Sequence, residues 1–98
     1  MKQMNIPEDA RLPVDYEDEA LSRAVRELRP VIYRDGQLLR CLLGPDLKEG
    51  ISGSGRSQQE AIADWIKNLR ERVARGNVDD EVAQYARDTL NTSVDDVW

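Results

Sequence analysis

Apolar positions along this chain change their period twice, and the changes mark its elements. From Asp15, "DYEDEALSRAVREL" places Ala20, Leu21, Ala24, Val25 and Leu28 on one helical stripe, with Asp15 as its cap and Pro30 as its stop. "RPVIYRDGQLLRCLLG" then reads as two β-prone runs around Asp35-Gly36, a two-residue hairpin signal, because a type I′ turn needs two positive φ angles. That turn sets Tyr33 opposite Leu38, Ile32 opposite Leu39 and Val31 opposite Arg40. "GPDLKE" is a polar turn, and a short third strand is expected around Gly50 to Ser54. In "SQQEAIADWIKNLRERVARG" the stripe Ile62, Trp65, Ile66, Leu69 and Val73 is continuous, with Ala61 at its margin and Gly76 placed for a left-handed C-cap. A last helix, "VDDEVAQYARDTLN", shows Val82, Tyr85, Ala86 and Leu90 on one side.

The order α-β-β-β-α-α predicts an α+β fold: a three-stranded antiparallel meander with its helices mainly on one face. Residues 1–14 carry two prolines and no period and read as an irregular arm. Residues 15–76 form the αβββα module, and residues 77–98 a C-terminal helix and a tail that is loose unless Trp98 docks.

Composition narrows the chemistry more than the fold. Ninety-eight residues with 40% hydrophobic and 34% charged positions suit one globular domain with a single modest core. No apolar run approaches the roughly 20 residues that cross a bilayer, and the N-terminus lacks the apolar stretch of a secretory signal. With Cys41 the only cysteine and no histidine, neither an intramolecular disulfide nor the usual zinc spacings can be built, and a reducing cytoplasm is expected. The net charge of −5 is unevenly spread. Residues 1–20 hold six acids and two bases, residues 78–98 six acids and one base, and the middle seven acids against eleven bases. Helix-end placement explains much of this: acids near helix starts and Arg70, Arg72 and Arg75 near a helix end suit the macrodipole.

"GISGSGRSQQEA" superficially fits a phosphate-binding loop, with Gly50, Gly55, Arg56 and Ser57 on the template. No buried apolar strand leads into Gly50, and a forked Arg stands where a Lys point charge is needed. Ser57 and Glu60 instead make the S-x-x-E capping box, and Gly53 and Gly55 allow a sharp strand-to-helix corner through unusual φ angles.

Three resemblances touch the same residues. Gly53, Gly55, Ser57 and Ala61 resemble the corresponding corner of double-stranded RNA-binding domains over about residues 15–75. That likeness implies duplex RNA binding, for which Arg56, Lys67 and the arginines of the basic middle are the contacts this chain offers. The family's lysine row is here Gln58, Gln59 and Ile62, and its long first hairpin loop is only Asp35-Gly36. Val31 to Val73 is similar to the β-β-β-α module of HicB-type antitoxins, which implies binding a small basic toxin protein. "LRPVIYRDGQLLRCLLGPDLKEGISGSGRSQQEAIADW" looks like a segment of small phage and prophage proteins of unassigned function, which implies provenance rather than activity.

No catalytic, cofactor or metal constellation is read from the residues. Cys41 falls on the core face of its strand, Ser52, Ser54 and Ser57 lack an activating base, and Asp79/Asp80 and Asp95/Asp96 read as solvated pairs. What stands out is the second sheet face, where Val31, Tyr33, Leu38, Arg40 and Leu42 line up away from Trp65. An open sheet face is normally polar, so this one is covered either by the last helix or by another protein, a second copy included. The expected function is a non-enzymatic acidic protein-interaction module, phage-related, with Arg40 anchoring an acidic partner. The alternatives are a reduced nucleic-acid binder working through Arg56 and Lys67, and an antitoxin or anti-defence inhibitor. No membrane, cofactor or small-molecule substrate enters any of these.

Overall fold

The computed structural model describes residues 6, 9–18, 21–45, 47, 49–75 and 79–90. Its elements are α1 (Arg23–Leu28), β1 (Val31–Asp35), β2 (Leu38–Leu43), β3 (Ile51–Gly55), α2 (Gln58–Arg75) and α3 (Glu81–Leu90), in the expected order. The strands form one antiparallel sheet in the order β1-β2-β3. Ile32, Cys41, Leu43 and Ile51 from the sheet share the main core with Ala24, Val25 and Leu28 of α1, Ala61, Trp65 and Leu69 of α2, and Val82 and Ala86 of α3.

The contact of α2 with β3 is unusually close, and it corrects the reading of two glycines. Neither Gly53 nor Gly55 has a positive φ. They lack side chains because the helix backbone lies on them. A Cβ on Gly53 would stand 2.6 Å from Trp65 Cα and 2.7 Å from the Ala61 carbonyl oxygen, and one on Gly55 2.7 Å from the Ala61 nitrogen. The buried centre of α2 is accordingly Ala61, Trp65 and Leu69, at spacings of four, while Ile62, Ile66 and Val73 flank it half-buried. The predicted capping box is present with one amide shifted. The Glu60 N–H donates to Ser57 Oγ at 3.2 Å, and Glu60 Oε2 accepts from the Arg56 N–H at 2.8 Å. A carboxylate thus already fills the anion position at this helix start.

The first helix is shorter than its apolar stripe. Asp15 Oδ1 accepts from the Glu17 N–H at 3.1 Å, closing a local turn that competes with helix, and the Tyr16 hydroxyl donates to the Pro30 carbonyl. Ser22 rather than Asp15 is the N-cap, its Oγ accepting from the Val25 N–H. Arg29, in the left-handed region at φ 52, ends the helix just before Pro30. Ala20 and the Gly76 cap lie outside the described residues.

The last helix joins the main core instead of crossing the second sheet face. Its buried arc is Val82, Ala83 and Ala86, small residues that suit close packing near α1 and α2. Tyr85, expected on that side, is 39% exposed, and the side chain of Leu90 lies outside the described residues. Arg72 ties this helix to the rest. Its guanidinium donates to both carboxylate oxygens of Asp80 at 2.6 and 2.8 Å and to the Gly50 and Glu49 carbonyls at 2.9 and 2.8 Å. Asp80 Oδ1 also accepts from the Ala83 N–H, so one carboxylate caps α3 and anchors it to α2.

Candidate functional site

The hairpin bend is Gly36-Gln37, one residue later than the Asp35-Gly36 expected from the sequence. Gly36 alone carries a positive φ, 63°, the sign pattern of a type II′ turn, which favours Gly at its first central position. Pairing shifts by two: Val31 faces Leu42, Ile32 faces Cys41, Tyr33 faces Arg40, Arg34 faces Leu39 and Asp35 faces Leu38. A shift of two preserves which face each side chain takes. Val31, Tyr33, Leu38, Arg40 and Leu42 therefore still share the face opposite Trp65. Asp35 joins them, and β3 adds Ser52 and Ser54 through its pairing with Leu42 and Arg40.

That outer face divides into a sealed half and an open half. The irregular arm does the sealing. Its backbone forms a single bridge, Arg11 to Tyr33, flanked by Leu12 N–H to the Ile32 carbonyl at 2.8 Å and Arg34 N–H to the Ala10 carbonyl at 2.9 Å. Ile6, itself 4% exposed, then covers Val31, Tyr33 and Leu42, with Ala10 at the margin. The last helix, one of the two coverings expected from the sequence, does not lie on this face; over this half the arm does. Three of the five candidate contacts are buried under Ile6 and Ala10, because an arm with no hydrophobic period can still supply one plug.

Leu38 and Arg40 remain in the open half. Leu38 is 38% exposed. Arg40 Nε donates to Asp35 Oδ2 along the strand pair, an ion pair with both side chains partly in solvent. Tyr33 sits between the halves. Burial pushes its phenol pKa upward, Arg40 opposes that shift and Asp35 adds to it. A shallow hollow at the hairpin tip is lined by Arg34, Gly36, Gln37, Leu38, Leu39 and Arg56. It brings Arg56, expected to act on nucleic acid, into one lining with the exposed leucine, and adds Arg34, which pairs with Leu39. Lys67 is not brought there: it is exposed on α2, roughly 14 Å along the axis from the helix start at 1.5 Å per residue.

The remaining candidate chemistry is accounted for locally. Cys41 is fully buried and burial pushes its thiol well above the ordinary value, away from thiolate. Ser57 Oγ is engaged in the helix cap. Among the described residues no three His, Cys, Asp or Glu side chains are grouped to hold a metal ion, and no helix is long and apolar enough to cross a membrane. No family model matches the chain, and the curated proteins and solved structures yield no match either.

Proposed function

We propose that this chain is a protein-interaction module whose contact region is the hairpin tip and the open half of the outer sheet face. The observation that carries this reading is Leu38, 38% exposed, which lines a hollow at the hairpin tip together with Arg34 and Arg56 and shares its strand and face with Arg40. An exposed aliphatic side chain among guanidiniums suits a partner surface on which acidic groups surround an apolar one. Guanidiniums dock carboxylates in planar, bidentate fashion, and the leucine gains by leaving water. Arg40 keeps the anchoring role the sequence assigns it, while Val31, Tyr33 and Leu42 serve as the support beneath.

Affinity capture from the natural host, run side by side with the wild type, Leu38→Asp and Arg40→Glu, tests this. Partners held by the wild type and lost by both variants, with thermal midpoints unchanged, support the reading. Partners retained by both variants overturn it. Two results point elsewhere: a duplex RNA shift at low salt that Arg56→Glu and Lys67→Glu abolish favours the nucleic-acid reading, and capture of a small basic protein favours the antitoxin one.

A further inference from the structure

Arg11 faces Tyr33 in the bridge between arm and sheet, and the pairing leaves the phenol unserved. A phenol oxygen could accept from a guanidinium, but the two groups make no hydrogen bond here. Arg11 turns its Nη2 back to the Ile6 carbonyl at 3.3 Å, and the Tyr33 hydroxyl is left buried without a hydrogen-bond partner. On the other side of Tyr33 stands Arg40, so side chains of two cations flank the phenol across three neighbouring chain segments. A buried donor without an acceptor is unfavourable, and Arg40 cannot supply one, being a donor already paired to Asp35. Among the described residues, two backbone hydrogen bonds flank the bridge that holds this arrangement.

We infer that the arm is a displaceable cover, and that the β1 edge beneath it docks an extended segment of a partner protein. That segment carries an acidic side chain opposite Tyr33 and a branched apolar side chain in the Ile6 slot. Docking is by strand addition, in which the incoming backbone takes over the bonds to the Ile32 carbonyl and the Arg34 N–H. The incoming carboxylate takes the place of Arg11 opposite Tyr33 and accepts from the phenol, which the arm's own arginine cannot do. The inference rests on the protein-interaction reading only in taking a protein as partner. It concerns a different surface from the hairpin tip.

Two labelled peptides added to the full chain and followed by fluorescence anisotropy provide the test. One is the arm sequence "IPEDARL", residues 6–12, and the other carries Arg11→Glu. The acidic peptide is expected to bind about fivefold tighter, the worth of one added hydrogen bond, and Tyr33→Phe in the chain should erase that preference. Ile6→Asp in the chain, which loosens the resident arm, should tighten both peptides about tenfold by raising the open population; Ile6→Ala should do so to a lesser degree. Leu38→Asp should leave peptide binding unchanged, which separates this site from the hairpin tip. Absence of peptide binding, equal binding of the two peptides, or a preference that survives Tyr33→Phe overturns the inference.

Discussion

At the scale of single residues, glycine does two unlike jobs in this chain, and they are separable by one methyl group. Gly36 is bare for conformation: its φ is 63° and a Cβ there would meet nothing within 4 Å. Gly53 is bare for space, since the atoms a Cβ would meet are backbone atoms of α2 that cannot step aside. Gly36→Ala should therefore cost about 1 kcal/mol, with Gly36→Asn milder because Asn tolerates the left-handed region. Gly53→Ala should cost about 3 kcal/mol, through overpacking of the helix against the sheet. Urea unfolding of the three variants checks the ranking. Equal losses at the two positions would contradict the division. The sequence shows that glycines are needed near residues 53 and 55 but not why, because close approach of a helix leaves no mark on local backbone preference.

At the scale of elements, the long stripe of α2, the three strands and the capping box were legible in the letters. Errors gathered where a polar side chain competes with a periodic pattern. Asp15 looked like a helix cap and is a turn former, and Asp35 looked like part of the bend and is the last strand residue. The Arg72–Asp80 junction was invisible, since nothing in the spacing of two residues on different helices announces a pair. It carries a definite pH signature. Arg72 hydrogen bonding first, with the Ala83 N–H assisting, holds the Asp80 carboxyl below its ordinary value of 3.8. A depressed carboxylate stabilises the fold above its unfolded value, and that contribution is lost as pH falls through the folded one. Asp80→Asn keeps a good N-cap and removes the charge, so it isolates the ion pair. It should cost about 2 kcal/mol at pH 7. The gap to wild type should close as pH falls through the ordinary carboxylate value and on through the lowered folded one, measured by urea unfolding across that descent. A gap independent of pH would mean the junction acts through shape alone.

At the scale of the whole molecule, the candidate face was legible as a face but not as a surface. Alternation in "VIYRDGQLLRCLL" settles which side chains point away from Trp65, and an even shift in pairing cannot change that. Whether the face is open depends on Ile6 and residues 9–12, whose role comes from one apolar plug and the backbone bonds of Ala10 and Leu12 rather than any pattern. Releasing that plug should alter the state of association. Ile6→Asp removes the burial of a branched side chain, worth about 2 kcal/mol, and bares both the β1 edge and the Val31–Tyr33–Leu42 patch. Light scattering over a concentration series should then show dimers for this variant and monomers for the wild type. A variant that stays monomeric at every concentration would mean the arm remains seated.

The opposite margin of the sheet explains why dimers, and nothing larger, are expected. Asp64 Oδ2 accepts from the Ser54 N–H at 3.0 Å, and Asn68 Nδ2 donates to the Ser52 carbonyl at 2.7 Å. Two side chains one helical turn apart thus stand in for the backbone of a fourth strand. The molecule has a plugged end and a latched end. When copies join along their strands, each has a single joinable rim, two rims consume one another about a two-fold axis, and the stack is complete at two. Fibre growth would need both rims at once, so the Asp64 and Asn68 bonds from α2 would act as the brake on polymerisation.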